Sequence, residues 1–298
     1  MFSGSLVAVV TPMRADGAVD YDAWSRLIEF HIAHGTQGII VGGTTGESPT
    51  LSDPEFTELT RRALAQAQGR TAIMVGAGVS STAATVERAC WLSALGVDAL
   101  LVVTPAYNKP TQEGLYRHFE AVAAASSAPI ILYNVPGRTA VDLLPPTVAR
   151  LAQLPRVVAV KEAVSDIQRF RDLIAQCPKD FAVLSGDDAA AREAVLVGAR
   201  GVISVTANVA PRAVADVMAA ALAGDAQRAQ TLDAPLALLH QNLFVEANPI
   251  PVKWVLQQIG LIGSGIRLPL TPLSARFHEL LRESMRSAGL QMDLEKAS

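Results

Sequence analysis

Lys161 is the residue whose type and position most directly suggest chemistry. It is one of five lysines in the chain, and it ends an apolar run, residues 157–161 (Val-Val-Ala-Val-Lys). An amine that is partly desolvated at the end of a strand loses affinity for its proton, and a lysine must lose that proton before it can attack a carbonyl near neutral pH. Lys161 is therefore a candidate nucleophile for imine formation. The structural alternative is an ion pair between this lysine and Glu162 or another carboxylate.

Lys253 is a second candidate nucleophile because it also has apolar neighbours, in residues 248–254 (Asn-Pro-Ile-Pro-Val-Lys-Trp). It lies in a segment of helical pattern and does not end a strand. Its aliphatic stem could pack on Trp254 while the ammonium reaches water. We therefore favour Lys161.

A tyrosine and an arginine follow another apolar run, in residues 132–139 (Leu-Tyr-Asn-Val-Pro-Gly-Arg-Thr). Tyr133 offers a phenol for proton transfer, and Arg138 offers a planar guanidinium that suits a carboxylate. This combination favours an α-keto acid as substrate. The alternative is a core tyrosine with a hydrogen-bonded hydroxyl beside a surface arginine.

Two further loops carry polar groups. Residues 42–48 (Gly-Gly-Thr-Thr-Gly-Glu-Ser) let the backbone approach a ligand and supply the hydroxyls of Thr44 and Thr45, which is typical of an anion cradle. The segment lacks the Gly-Lys-Ser/Thr ending of a nucleotide-binding P-loop, and a purely structural turn remains the alternative. Tyr107 lies in a later loop, where it is either a proton relay or simply a loop aromatic.

Metal binding is not favoured at either of the two candidate clusters. Asp187 and Asp188 directly precede an alanine-rich helical segment, so capping of the helix N-terminus explains them. His31 and His34 lie three residues apart on a helix without a third ligand, and surface positions are predicted for them. We expect no metal and no cofactor.

The elements that must position these residues follow a repeated strand–helix order, which is typical of a parallel sheet built from βαβ units. Predicted strands cover residues 6–10, 38–41, 72–76, 99–104, 130–134, 157–161, 182–185 and 202–205. Predicted helices cover residues 21–34, 53–67, 82–95, 112–126, 146–154, 167–176, 189–197 and 212–222. This order predicts a closed α/β barrel of the (β/α)8 TIM type, with a doubly wound open sheet as the competing architecture. The reactive groups of such a barrel lie where strands end.

After Gly224 the pattern is helical only, with predicted helices at residues 226–243, 251–259 and 272–288. The expected organisation is a catalytic barrel over residues 1–224 followed by a C-terminal helical bundle over residues 225–298.

Composition excludes several classes of function. The formal net charge is −3 and the pI is about 6.0, without a basic stripe that could follow a phosphate backbone, so nucleic acid is not an expected partner. Cys90 and Cys177 are too few for a disulfide framework or a cysteine-based zinc site, which fits a reducing cytoplasm. A secretory leader and an apolar stretch of about 18 residues are both missing, so no membrane association is expected.

Taken together, four motifs resemble the dihydrodipicolinate synthase (4-hydroxy-tetrahydrodipicolinate synthase) family. They are residues 43–47 (Gly-Thr-Thr-Gly-Glu), 107–108 (Tyr-Asn), 133–139 (Tyr-Asn-Val-Pro-Gly-Arg-Thr) and 160–163 (Val-Lys-Glu-Ala). The resemblance begins with Met1 and Phe2, continues through residues 10–13, 184–188 and 201–205, and includes residues 243–246 and 248–253.

The resemblance implies that Lys161 forms an imine with pyruvate and that the derived enamine attacks the aldehyde of aspartate semialdehyde, in the pathway to diaminopimelate and lysine. It implies a proton relay of Tyr133, Thr45 and Tyr107. It also implies that Arg138 holds the carboxylate of the semialdehyde, and that the pyruvate site is formed by Thr44, Thr45, Gly186 and Ile203. In the family Tyr107 crosses a dimer interface, so a homo-oligomer is expected, either a dimer or a dimer of dimers (a homotetramer).

The chain departs from the lysine-inhibited members of the family at the positions that line their feedback site. Those members tend to carry histidines, an asparagine, an acid and a tyrosine there; this chain has Pro49, Asp53, Phe56, Ser80, Ala84 and Ala106. Without an acid at position 84, little offsets the cost of burying the charged effector. We expect lysine inhibition to be weak or absent.

Two other functions compete with the synthase. A related aldolase or lyase acting on a sugar acid, such as N-acetylneuraminate or a 2-keto-3-deoxy acid, would share the lysine and the tyrosine, but Arg138 suits a small second carboxylate better than a chain of hydroxyls. A non-catalytic barrel that binds a keto acid would not need a nucleophile and a three-residue relay.

Overall fold

The structure is a computed structural model, and it describes residues 2–291. Met1, with which the resemblance begins, and residues 292–298, at the end of the expected helical extension, lie outside the described residues.

Within residues 2–291, eight parallel strands close into a barrel in which each strand pairs with the next along the chain and the last pairs with the first. The strands are β1 (Gly4–Ala8), β2 (Gly38–Val41), β3 (Ala72–Gly76), β4 (Ala99–Val103), β5 (Ile130–Asn134), β6 (Val157–Glu162), β7 (Ala182–Ser185) and β8 (Gly201–Ser204). The closed barrel confirms the predicted (β/α)8 fold and excludes the doubly wound open sheet.

The strands are mostly apolar because both of their faces are buried, and most of their polar residues lie at the carboxyl ends. Successive side chains of a strand point to opposite faces. Leu6 and Ala8 of β1 therefore belong to the cluster that fills the barrel, whereas Val7 belongs to the larger cluster between the strands and the surrounding helices. Side chains at the carboxyl ends of the strands all meet at one rim of the barrel.

Helices follow each strand and continue after the barrel. They are α1 (Tyr21–Ala33), α2 (Asp53–Ala67), α3 (Thr82–Ser93), α4 (Gln112–Ala125), α5 (Pro136–Thr139), α6 (Pro145–Leu151), α7 (Ile167–Gln176), α8 (Asp188–Leu196), α9 (Pro211–Leu222), α10 (Ala226–Asp233), α11 (Ala237–Asn242), α12 (Ile250–Gln258) and α13 (His278–Ser287). Short 3-10 helices cover Ser48–Thr50, Thr206–Asn208, Ala234–Leu236 and Ala275–Phe277.

The first strand lies two residues earlier than the sequence pattern predicts. Gly4 pairs with Gly201 of β8, which extends β1 at its start. At its other end, the amide of Val10 donates to the side-chain oxygen of Asn208 at 3.0 Å and so does not continue the sheet. The apolar run of residues 6–10 therefore extends beyond the strand itself.

Two of the predicted C-terminal helices are too long. The helix expected at residues 226–243 is divided into α10, a 3-10 turn and α11, because Pro235 lacks the amide proton that an uninterrupted helix requires at that position. The helix expected at residues 272–288 begins only with the 3-10 turn at Ala275. The expected division of the chain at residue 224 remains a prediction.

Between residues 2 and 291, no helix combines the length and the apolarity that a membrane crossing would need.

We expect Gly42→Ala to lower the free energy of unfolding by about 3 kcal/mol or more. Gly42 follows β2 with φ +57°, and an added Cβ would lie 2.1 Å from Cζ of the buried Phe56. Gly69→Ala is the matched control, since Gly69 also has a positive φ but an added Cβ would meet nothing within 4 Å. That variant should lose only about 1 kcal/mol. Urea unfolding measures both, and equal losses would contradict the steric argument.

Candidate active site

Lys161 lies inside the barrel, near the carboxyl end of β6. Its side chain is 5% exposed, and it points to the same face of the strand as Ala159, which belongs to the interior cluster. In the sheet it pairs with Tyr133 of β5 on one side and with Leu184 of β7 on the other. Nζ of Lys161 lies 4.3 Å from the centroid of the Tyr133 ring. The structure thus brings the predicted nucleophile and the predicted phenol together.

Gly186 provides the space that the Lys161 side chain occupies. An added Cβ on this glycine would lie 3.0 Å from Cε and 3.1 Å from Cγ of Lys161. The Gly186 amide donates to the backbone carbonyl of Glu162 at 2.7 Å, which fixes this close approach. Ile203 of β8 is fully buried in the interior cluster.

The loop after β2 presents the two threonines through a compact backbone. Gly46 and Glu47 donate their amides to the carbonyls of Gly43 and Thr44, both at 3.1 Å. Glu47 adopts the left-handed conformation, with φ 57°. Thr45 is buried, and its hydroxyl oxygen accepts a hydrogen bond of 2.9 Å from Nδ2 of Asn248.

Arg138 lies on the single-turn helix α5, which the sequence pattern did not predict. Pro136 starts this turn directly after β5, where a proline is favoured because the first helical position needs no donor. The guanidinium donates to the backbone carbonyl of Asn248 at 3.3 Å. Arg138, Thr44 and Asn248 line a common cavity of about 590 Å³, which Lys161 does not line.

Tyr107 is held apart from this group. It follows β4 with φ 77°, in a loop fixed by its own amide, which donates to the carbonyl of Thr139 at 3.3 Å. Its side chain is 94% exposed. A non-glycine residue in this backbone region is strained by about 1–2 kcal/mol. The structure therefore presents Tyr107 outward, on the surface of its own chain.

Glu162 is not the partner of Lys161. It points to the opposite face of β6, where its carboxylate accepts from Nδ2 of Asn134 at 3.0 and 3.1 Å and from the amide of Val164 at 2.8 Å. Burial raises the pKa of Glu162 to about 7, although these hydrogen bonds lower it. Among the described residues, no carboxylate forms an ion pair with Lys161. The alternative interpretation of Lys161 as the partner of Glu162 is therefore wrong.

Lys253 is also placed differently from the prediction. Its ammonium does not reach water: the side chain is 5% exposed, and Nζ lies 2.5 Å from a carboxylate oxygen of Glu47, whose side chain is 1% exposed. Burial lowers the pKa of Lys253, and the neighbouring Glu47 opposes that shift. Trp254 stacks on His278 instead, with ring centroids 4.8 Å apart. A lysine in a close ion pair is a poor nucleophile, so Lys161 remains the candidate.

The two aspartates after β7 have separate roles. Asp187 caps α8 by accepting the amide of Ala190 at 2.8 Å, as predicted. Asp188 turns towards the end of β8, where it accepts the amides of Val205 and Thr206 at 2.9 and 3.1 Å. It therefore stabilises the segment that follows Ile203.

The surface position predicted for His31 is wrong. Its ring is fully buried, and Nδ1 lies 3.2 Å from the Thr36 hydroxyl oxygen. Burial lowers the pKa of His31 to about 3.

Sequence reasoning missed Asn248 as a residue of the site. Its side chain contacts Thr45 and its carbonyl contacts Arg138, across separations of 203 and 110 residues. The only local signal is its place in the motif of residues 248–253, and that motif does not say which part of the chain Asn248 contacts.

Fold and site together define a (β/α)8 barrel that holds the amine of Lys161 beside the Tyr133 ring at the carboxyl end of β6. A cavity lined by the loops after the strands carries the Arg138 guanidinium. This is the class of barrel that can form an imine with a keto acid. The chain belongs to the dihydrodipicolinate synthetase family, whose sequence model matches residues 1–288.

Curated relatives and solved structures of this family match nearly the whole chain. A curated relative from Nitrosospira multiformis, named 4-hydroxy-tetrahydrodipicolinate synthase, is 53% identical over 289 residues, which are 97% of this chain and 96% of the relative. The chloride-inhibited dihydrodipicolinate synthase of Acinetobacter baumannii, solved with pyruvate, is 50% identical with a TM-score of 0.96, over 98% of this chain and 100% of that one. A synthase described as a monomeric variant is 41% identical with a TM-score of 0.95, over 97% and 98%.

We expect Glu162→Gln to stabilise the protein in a pH-dependent way. A carboxyl whose pKa rises from 4.5 to about 7 on folding binds its proton more tightly in the folded chain, so its contribution is favourable below pH 4.5 and is lost as the pH rises to 7. Glutamine does not ionise. The variant should therefore gain up to about 3 kcal/mol at pH 8 and little near pH 4.5. Urea unfolding across this pH range measures the difference, and a pH-independent effect would contradict the assignment.

Proposed function

We propose that this chain is a 4-hydroxy-tetrahydrodipicolinate synthase, a lyase that condenses pyruvate with L-aspartate 4-semialdehyde. The observation that carries the proposal is the buried Lys161 beside Tyr133, with Gly186 leaving room for its side chain. Full-length relatives that bear this name support the choice of reaction.

The proposed chemistry begins at Nζ of Lys161. The neutral amine attacks the keto carbon of pyruvate, and loss of water leaves an imine. Removal of a methyl proton gives the enamine, whose carbon attacks the semialdehyde aldehyde, and the resulting alkoxide takes up a proton. The amino group of the semialdehyde part then attacks the imine carbon, which closes the ring and releases Lys161.

We assign the proton transfers to a relay of Tyr133, Thr45 and Tyr107. The position of the Tyr133 ring next to Nζ of Lys161 supports this assignment. Among the described residues, no hydrogen bond connects the Tyr133 phenol with the Thr45 hydroxyl, so their connection is part of the proposal. Thr44, Thr45, Gly186 and Ile203 would shape the pyruvate site.

We assign the carboxylate of the semialdehyde to Arg138. Its guanidinium lines the cavity together with Thr44, and it can bind a planar carboxylate through two hydrogen bonds. A sugar acid would instead require several acceptors and donors for its hydroxyls. This favours the synthase over the sugar-acid lyase.

We also propose a homo-oligomer in which Tyr107 of one subunit completes the relay of another. The support is the 94% exposure of this tyrosine and its strained backbone, which hold the phenol away from its own chain. A dimer is the smallest assembly that satisfies this arrangement.

We also propose that the enzyme is cytoplasmic. Cys90 and Cys177 are both free, which supports a reducing compartment.

Borohydride trapping tests the proposed imine. Wild type incubated with pyruvate and reduced should gain one pyruvyl group by intact-protein mass spectrometry and should turn over aspartate semialdehyde. Lys161→Met should gain none and lose activity, because no other amine is suitably placed. Lys179→Met is the matched control, since Lys179 is exposed and lies before the amino end of β7, whereas the proposed site lies at the carboxyl ends of the strands. Adduct without turnover would indicate a sugar-acid lyase, and wild type without adduct would remove Lys161 as nucleophile.

We expect millimolar lysine to inhibit turnover less than about twofold, since a Kd of 1 mM already requires about 4 kcal/mol of binding free energy. At the feedback positions, Ala84 offers no acid. Cζ of Arg88 lies 4.3 Å from the centroid of the Phe56 ring, so a guanidinium is already present there. Arg88 would repel a second cation. Ala84→Glu should increase sensitivity to lysine, whereas half-inhibition of wild type below about 1 mM would contradict the prediction.

A further inference from the structure

The proposed chemistry leaves the buried ion pair of Glu47 and Lys253 without a role. Removing two charges from water costs several kcal/mol, and replacing such a pair with apolar residues is often neutral or stabilising. The pair is therefore weakly explained by stability alone. Its location next to the proposed site suggests what it does.

On one side the pair fixes the threonine loop. Glu47 is two residues from Thr45, and its amide donates to the carbonyl of Thr44. One carboxylate oxygen accepts from Lys253 at 2.5 Å, and the other accepts from the backbone amide of Arg267 at 3.2 Å. Both oxygens of the carboxylate thus tie this loop to the C-terminal part of the chain.

On the other side the pair fixes the start of α12. Lys253 lies in the first turn of that helix, and its amide donates to the carbonyl of Pro249 at 3.0 Å. Asn248 precedes Pro249, the residue that caps this helix. The ion pair therefore holds both residues of the hydrogen bond between Asn248 Nδ2 and the Thr45 hydroxyl oxygen, 2.9 Å long.

The direction of that hydrogen bond determines what Thr45 can donate. The Asn248 amide nitrogen donates, so the Thr45 oxygen is the acceptor and its own proton is free for another partner. In this orientation Oδ1 of Asn248 is buried without a partner. The flipped amide would leave two donor protons on a buried nitrogen unpaired, which is the costlier arrangement.

We propose that Glu47 and Lys253 are positioning residues of the active site: their ion pair holds Asn248 so that its amide donates to Thr45, which directs the Thr45 proton towards the relay. This inference rests on the proposed function, because the relay through Thr45 is part of that proposal. Asn248 is a positioning residue as well, since it acts through Thr45. The backbone carbonyl of Asn248 also accepts a hydrogen bond from Arg138. The ion pair of Glu47 and Lys253 therefore also fixes the Arg138 guanidinium relative to Thr45.

The test measures exchange of the pyruvate methyl protons with D2O by NMR, together with borohydride trapping. Exchange reports proton transfer between imine and enamine and needs no aldehyde. Asn248→Asp is nearly isosteric, but its carboxylate accepts the Thr45 proton and turns it away from the relay. We expect exchange to fall by about 100-fold in this variant and by about 10-fold in Asn248→Ala. Adduct formation should persist in both.

The ion pair is tested with Lys253→Met and with Glu47→Gln/Lys253→Met. The single variant leaves a buried carboxylate unpaired and should lose both thermal stability and exchange. The double variant removes both charges and should regain most of the melting temperature, while exchange stays at least about 10-fold below wild type. Glu58→Gln/Arg62→Met is the matched control: it removes an exposed ion pair, with side chains 41% and 43% exposed, and should exchange as wild type does.

Wild-type exchange in Asn248→Asp, or in the folded double variant, would overturn the inference while leaving the proposed function intact. Absence of a pyruvate adduct in wild type would overturn the proposed function and this inference with it.

Discussion

The pairing register of β5, β6 and β7 is the constraint on which the site depends. It places Lys161 beside Tyr133 on one side and Leu184 on the other, with the lysine facing the barrel interior. Because side chains alternate along a strand, a shift of one residue would exchange Lys161 for Glu162. An amine would then face the helices and a carboxylate the barrel interior. In the observed register Glu162 accepts hydrogen bonds from Asn134 and from the Val164 amide on the outer face, while Ala159 and Lys161 face the interior. The partners of the carboxylate and the placement of the proposed nucleophile therefore depend on the same register.

This register also buries the Glu162 carboxylate on the outer face of the barrel, between β6 and the helices. Because Lys161 faces the barrel interior, the carboxylate of the next residue is buried between strand and helices, where Asn134 and the Val164 amide stabilise it. Burial nevertheless raises its pKa to about 7. Asn134 also donates to Asp142, which pairs with Arg169. The residue that follows the lysine is thus part of a polar network on the outer side of the barrel.

Most of the fold could be predicted from sequence because its signals are local. Apolar runs of β2, β3, β5 and β7 gave their bounds directly, and the rhythm of strands and helices indicated the barrel. Tyr133 and Lys161 were predictable because both lie at strand ends. Asn248 and the partner of Lys253 were not, since their contacts join residues more than 200 positions apart. Sequence spacing carries no information on such contacts, and an apolar neighbourhood gave the wrong expectation that the Lys253 charge reaches water.

The contacts of Glu47 also bear on how the chain can be divided. A barrel without its C-terminal helices would retain all eight strands and Lys161, yet it would remove the partners of the Glu47 carboxylate and leave the Thr45 hydroxyl without the Asn248 donor. The eight strands therefore form a complete barrel by themselves, but the proposed site also needs residues of the C-terminal helices. Grafting the C-terminal helices of one family member onto the barrel of another would have to match the loop after β2 to the start of α12, and this match limits how freely such parts can recombine during evolution.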